Sequence, residues 1–199
     1  MKTIPATDIT TYVGAGGDLS FGGDTFGADK TIGSNDTYAL SFETDGNEAM
    51  KIDTAGIITK PLQPAFILKK DTVQTDVGTS EFDISWETEI ADRNGDFSTP
   101  SFTAPVTGIY QMDVQVEGVQ LDSAGQYTQL RLLASNRSFY TVFRNPTQLS
   151  ADSSVDLKLS VMVDMDANDT AKVTMHFANG HLTSDIGISY SSWSGYLVA

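Results

Sequence analysis

Hydrophobic side chains recur at every second position through long stretches of the C-terminal part of this chain. Tyr110, Met112, Val114 and Val116 share one face of a predicted strand, and Gln111, Asp113, Gln115 and Glu117 share the other. Leu157, Leu159, Val161, Val163 and Met165 form the longest such run; Val173, Met175 and Phe177 repeat it, and Thr128, Leu130 and Leu132 face one way. A period of two is that of a strand with one dry and one wet face. Ala65-Phe66-Ile67-Leu68 opens the series behind Pro61 and Pro64. Trp193-Ser194-Gly195-Tyr196-Leu197-Val198-Ala199 closes it as an apolar strand. Such an end is expected to pack against something, since loose termini are normally polar and frayed. Trp86 and Phe97 fall in a loop-rich stretch that ends at Pro100. No segment carries a helical period, so the predicted class is all-β.

The N-terminal part reads differently. Residues 1–17 form an arm ending in Gly14-Ala15-Gly16-Gly17, with too few apolar residues to fold alone. The Gly-rich run lacks the Lys-Ser/Thr of a phosphate loop, and Asp18 follows it. Residues 18–60 alternate short apolar pairs with Gly, Asp, Asn and Thr. Tyr38, Leu40 and Phe42 alternate, as do Met50 and Ile52, and Asp45-Gly46-Asn47 between them reads as a hairpin turn. These short strands bury little in one chain; several copies wrapped together would bury more. Residues 61–199 carry the long alternating strands and are expected to form an antiparallel sandwich.

Composition narrows the function. The chain has 199 residues, enough for a substantial core, and no cysteine, which excludes disulfides, cysteine-ligated zinc and thiol chemistry. Its net charge of −14 argues against nucleic acid and anionic membrane as partners, because phosphates demand Lys and Arg. No apolar run reaches the length of a membrane span, and Met1-Lys2-Thr3-Ile4-Pro5 does not open a signal peptide. Synthesis in a cytoplasm and assembly without secretion are therefore expected.

Phe102-Thr103-Ala104-Pro105-Val106-Thr107-Gly108-Ile109-Tyr110 and the closing Trp193-Ser194-Gly195-Tyr196-Leu197-Val198, in that order, resemble the globular head of complement C1q and its tumour necrosis factor relatives. The resemblance runs from about Pro64 to Ala199. It implies a ten-stranded jelly roll that assembles as a homotrimer. Met165-Asp166-Ala167-Asn168-Asp169-Thr170-Ala171-Lys172-Val173 resembles a turn of the same superfamily, with Asn168 where Gly is usual; Asn also adopts a left-handed turn. Farther upstream, Ile32-Gly33-Ser34-Asn35-Asp36, Leu40-Ser41-Phe42-Glu43-Thr44 and Met50-Lys51-Ile52-Asp53-Thr54-Ala55-Gly56 resemble the β-rich shaft module of tailed-phage fibres, present here once rather than as an array.

Candidate chemistry is sparse. His176 and His181 are the two histidines; His176 points away from Met175 and Phe177 and is expected at solvent or at a subunit interface. No G-x-S-x-G elbow accompanies them. Asp92-Asn94-Asp96 around Gly95, and Asp164-Asp166-Asp169, offer oxygens suited to calcium, but the first lacks the downstream bidentate Glu. Calcium occurs in some C1q heads, and no ligand motif carries over. Tyr127, Phe139, Tyr140, Phe143 and Trp193 are candidates for a glycan platform, each more often core or interface. Arg131, Arg137 and Arg144 are expected to bridge to acidic residues of a neighbouring subunit, with an acidic-glycan site as the sharper alternative. The loops at Asp92–Asp96 and at Ser123-Ala124-Gly125-Gln126 read as exposed tips.

The sequence thus predicts a trimeric virion surface protein of a tailed phage, without enzymatic activity or resident cofactor. The arm 1–17, through Met1, Ile4, Tyr12 and Gly14, would anchor it to a capsid or tail protein. Residues 18–60 would form a short intertwined shaft, and 61–199 the displayed head. Phe66, Tyr110, Leu157, Leu159, Trp193, Tyr196 and Leu197 are expected to build the core and the trimer axis. Decoration of the capsid is the leading role. A tail adhesin for a host glycan or receptor, and a secreted complement-head-like binder, are the alternatives.

Overall fold

The computed structural model describes residues 27–29, 31–121, 123–135, 137–144, 149–150, 153–178 and 184–199. The predicted anchor residues Met1, Ile4, Tyr12 and Gly14 lie outside these, as does His181. The chain divides into two compact units, Met1–Leu40 with Ile52–Ile57, and Ser41–Lys51 with Ile58–Ala199.

The first strands are short: β1 (Leu40–Thr44), β2 (Asn47–Ile52) and β3 (Ile58–Thr59) make a three-stranded sheet in that order. The turn between β1 and β2 falls on Asp45 and Gly46, with φ of 51° and 72°. Both central residues are left-handed, as a two-residue hairpin that follows the strand twist requires. In the first unit, Asp53 clasps the next turn. Its Oδ1 accepts from the N–H of Ala55 at 2.8 Å and of Ile57 at 2.9 Å, and Gly56 (φ 82°) closes the loop. That geometry explains an Ile-Asp-x-x-Gly spacing: Asp supplies the acceptor and Gly the left-handed residue. Among the described residues, none before Pro64 is buried. Ile32, Tyr38 and Ile57 in the first unit stand exposed, as do Phe42 and Ile58 in the second.

From Ala65 onward the second unit is a two-sheet antiparallel sandwich. Its strands are β4 (Ala65–Lys69), β5 (Phe82–Asp83), β6 (Thr88–Asp92), β7 (Phe97–Ser98), β8 (Ser101–Thr103), β9 (Gly108–Leu121), β10 (Tyr127–Ala134), β11 (Arg137–Arg144), β12 (Ser153–Met165), β13 (Thr170–Ala178), β14 (Asp185–Ile186) and β15 (Ser192–Leu197). One sheet has the order β12-β9-β15-β4-β6, with β14 beside β9. The other has the order β11-β10-β13-β8-β7, with β5 beside β13. All of these pairings are antiparallel, and the sequence-distant neighbours make the crossovers of a jelly roll. The predicted alternation is met: Tyr110, Met112, Val114 and Val116 of β9 face Leu130, Leu132, Val173, Met175 and Phe177 of the opposite sheet in one core.

Aromatic rings fill one end of that core. Phe66 stacks on Phe102 at 4.8 Å between centroids and meets Trp193 edge-on at 5.0 Å; Trp193 also meets Phe97 at 5.9 Å and Trp86 at 6.1 Å. Trp86 and Phe97, in the stretch expected to be loop-rich, are core residues: Trp86 lies outside any strand and Phe97 in the two-residue β7. Phe66, Tyr110, Leu157 and Trp193 are buried, Leu159 and Leu197 pack partly buried against them, and Tyr196 points out of the sandwich.

The two sequence motifs acquire a physical reason here. Gly195 leaves room for the Phe66 ring: a Cβ at that position would lie 2.7 Å from Phe66 Cε1. A Cβ on Gly108 would lie 2.6 Å from the carbonyl oxygen of Ala199, because the chain end pairs with the start of β9. Ile109 N–H donates to Ala199 O at 2.7 Å, and Val198 N–H to Ile109 O at 2.7 Å. Tyr110 donates its hydroxyl to Val106 O at 2.8 Å across the Pro105 corner. Ala104, fully buried, exchanges backbone bonds with the Asp166–Asp169 turn, where Asn168 takes the left-handed φ of 73°.

Candidate binding surfaces

The two sheets present different outer faces. In the sheet led by β12, inward residues alternate with outward ones, and the register aligns the outward set into rows. One row is Met162, Gln111, Tyr196 and Ala65; the next is Ser160, Asp113, Ser194 and Ile67; the next is Lys158, Gln115, Ser192 and Lys69. Asp164 pairs with Ile109 at the end where Val198 bonds to the same strand. Cross-strand neighbours in a row are about 5 Å apart. Met162 (63% exposed), Tyr196 (51%), Ile67 (45%), Val198 (42%) and Ile109 (41%) thus make an apolar band beside polar rows. An open groove of about 740 Å³ continues from it, lined by Ile58, Pro61, Pro64, Arg93, Tyr196 and Val198 among others. Scattered exposed apolar residues are ordinary, whereas aligned ones mark contact surfaces.

The sheet led by β11 exposes less apolar surface and more paired charge. Tyr140 is 61% exposed, but Tyr127, Phe139 and Phe143 are partly covered and Trp193 is fully buried. Of the proposed aromatic platform, Tyr140 is the member left open. The arginines expected to bridge subunits have contacts within the chain. Arg131 donates to both Glu81 oxygens at 2.9 and 3.1 Å and to Ser138 Oγ at 2.7 Å. Arg137 pairs with Asp164 at 2.9 Å, and Arg144 lies over the Tyr127 ring at 5.8 Å. The reason is the register, which sets Arg131 opposite Ser138's strand and carries Glu81 beside Thr174; Thr174 donates to Glu81 at 2.6 Å. That bond, with Arg131 behind it, holds the Glu81 carboxyl below its ordinary range despite partial burial. His176 is half-buried, with Nε2 donating to Thr79 O at 3.0 Å and Nδ1 at 3.4 Å from the Tyr127 hydroxyl.

The carboxylates singled out for calcium are engaged in turns and in one exposed ion pair. Asp92 accepts backbone N–H bonds from Asp96 at 3.2 Å and Phe97 at 3.0 Å, closing the turn with Gly95 left-handed at φ 71°. Burial, with the neighbouring Asp92 charge, pushes the Asp96 carboxyl up, against a hydrogen bond from Asn94. Asp164 is committed to Arg137, and Asp169 accepts the N–H of Asp166 at 3.0 Å. Among the described residues, no group of three or more His, Asp or Glu is placed to hold a metal ion.

One group escaped sequence reasoning. Lys70 is completely buried, and its ammonium donates to Ser85 O and Oγ, both at 3.1 Å, and to Glu87 Oε1 at 3.0 Å. Glu87 is partly exposed and accepts Asp71 N–H at 3.1 Å. Burial raises its carboxyl, but the bonds from Ser85, Lys70 and Asp71 outweigh that and hold it below the ordinary value. Lys70 follows outward Lys69 and continues the inward parity of Phe66 and Leu68; its partners come from a distant segment.

The architecture has known counterparts. The globular domain of zebrafish complement 1qA superposes with a TM-score of 0.53 over 69% of this chain and 98% of its own, at 17% identity. Murine APRIL at pH 5.0 superposes with a TM-score of 0.50 over 68% and 99%, at 11% identity. At these identities the likeness is one of fold. No curated protein matches the chain. Residues 65–198 match the family model of the C1q domain, and by that match, extending over most of its length, the chain belongs to the C1q domain family.

Proposed function

We propose that this chain is a homotrimeric structural and binding protein of a tailed-phage virion, held by its N-terminal arm and displaying the jelly-roll head. Domains of the C1q and tumour necrosis factor type form homotrimers that act as binding modules, generally without enzymatic activity. The observation that carries the trimer for this chain is the aligned apolar band of Ile67, Ile109, Met162, Tyr196 and Val198 on the sheet led by β12. Rotated copies meeting there about a three-fold axis would cover it. The stretch before Pro64, with no buried residue among those described, supports a shaft completed by the other copies. Its likeness to phage fibre modules at Ile32–Asp36 and Met50–Gly56 supports the virion setting.

Within that setting the reading is capsid decoration. Virions assembled with the full chain, and with a chain lacking residues 1–17, test it: the full chain should be found on the capsid and the truncated one should remain free as a folded trimer. Incorporation of the truncated chain would overturn the anchoring. Competition of the purified head with phage adsorption would move the role to a tail adhesin, and new reducing ends released from host polysaccharide would mean an enzyme.

A further inference from the structure

We infer that Lys158 keys the trimer, pairing with Asp113 of the adjacent copy; the inference rests on the trimeric reading above. Of the described lysines, Lys51, Lys69, Lys70 and Lys172 each have a carboxylate partner within the chain, whereas Lys60 and Lys158 have none. Lys158 stands exposed on the outer face of β12, the same face that carries the apolar band. Around it on that face lie Asp156 on its own strand and Asp113 and Glu117 on β9, one register step away on either side. Asp113 is also exposed and has no cation partner; its carboxylate accepts from the Gln111 amide at 3.2 Å. Between Asp113 and Lys158 the face dips into a depression of about 230 Å³ floored by Ser160, Ser192 and Ser194. Small hydroxyl side chains leave room for a long side chain to enter from outside.

The chain's charge makes this position matter. Copies that each carry −14 repel on approach, and the face that meets its own kind carries Asp113, Asp156 and Glu117. Of the two outward lysines in the row from Lys158 to Lys69, Lys69 is taken by Asp71, so Lys158 is left to offset the repulsion, and it does so only if it reaches a neighbour's carboxylate. A three-fold axis repeats the contact identically three times, so a single Lys-Asp pair per interface is read out threefold. The pair would select the register of the copies, while the apolar band supplies the contact area.

Native mass spectrometry and sedimentation of the full chain test the inference. Lys158→Glu and Asp113→Lys, both at exposed positions, should each keep the far-ultraviolet circular dichroism of the parent and weaken the trimer about tenfold or more in concentration. The charge-swapped double variant should recover most of that loss, and Lys158→Arg should retain the trimer. Lys172→Glu, the same charge change on the opposite sheet, should leave the trimer midpoint within about threefold of the parent. Unchanged trimers in both single variants, or a double variant no better than either, would refute the ion pair and leave the trimer standing. A parent chain that is monomeric at micromolar concentration would overturn the trimeric reading, and the pair with it.

Discussion

At the scale of single residues, the most constrained positions are those where a small or charged group sits against something that cannot move. Gly195 is one. The Phe66 ring occupies the space of its missing Cβ and is itself held by Phe102 and Trp193, so the ring has no free direction in which to retreat. Gly195→Ala should cost about 1–3 kcal/mol, the range of forced overpacking. That corresponds to a melting temperature lower by roughly 2–10 °C. Adding Phe66→Leu should return part of it; a double variant less stable than Gly195→Ala alone would place the strain elsewhere. Lys70 and Glu87 are the other case. Lys70 is fully buried whereas Glu87 reaches solvent, so losing the acid strands a charge and losing the lysine does not. Glu87→Gln should therefore destabilise more than Lys70→Met at neutral pH. The folded Glu87 carboxyl is held below its ordinary 4.5, so its contribution is present above that pH and is lost as pH falls through the folded value. Thermal melts of the parent and of Glu87→Gln should differ at pH 7, and the gap should narrow as pH falls below 4.5; a gap that stays constant on acidification would show that the pair's charge is irrelevant.

Elements show what was legible in the sequence and what was not. The strands β9, β12 and β13 run 14, 13 and 9 residues, long enough for alternation to fix both their type and their buried face. Two left-handed turns are equally readable: Asp45-Gly46 and Asn168 have the positive φ their residue types favour, whereas the positive φ of Asp76 and Gln120 is not among the turns predicted from sequence. Trp86 and Phe97 do lie in a loop-rich stretch, and their burial is not legible there because no long strand frames them. Phe97 sits in the two-residue β7, and two residues carry no period. Lys70 was missed because its acceptors, Ser85 and Glu87, stand 15 and 17 positions away and only the fold brings them near. Tyr196 belongs to the set expected in the core and the trimer axis; the register turns it outward with Ser192 and Ser194, away from the protomer core, and alternation alone does not divide the set between the two. The arginine pairs depend likewise on tertiary register. The Asp53 turn invites its own test. Asp53 Oδ1 satisfies two backbone N–H groups at an exposed site, so Asp53→Ala should loosen that turn by about 1–2 kcal/mol. Hydrogen exchange should quicken at Ala55 and Ile57 while β9 and β12 keep their protection. Faster exchange throughout β9 would contradict a local role for the clasp.

For the whole molecule, the opposing quantities are an apolar face that gains by being covered and a net charge that resists assembly. Tyr196, Met162 and Ile67 contribute only when a second surface excludes water from them, and each such side chain is worth up to about 1.5–3 kcal/mol when fully covered. Against this, each chain brings −14, and at low ionic strength that repulsion reaches about 30 Å. At physiological salt it reaches only about 8 Å, while hydrophobic contact is little changed. A Lys158–Asp113 pair runs the other way with salt, but it is one attractive contact per interface between chains that each carry −14. The trimer should therefore tighten as salt rises from about 10 to 150 mM, the opposite of an assembly held chiefly by ion pairs. Tyr196→Glu should remove apolar contact and add like charge at the same point. Because Tyr196 lies outside the protomer core, that variant should stay folded and sediment as a monomer at concentrations where the parent is trimeric. A Tyr196→Glu chain that remains trimeric, with its salt dependence unchanged, would mean that the copies meet through another face.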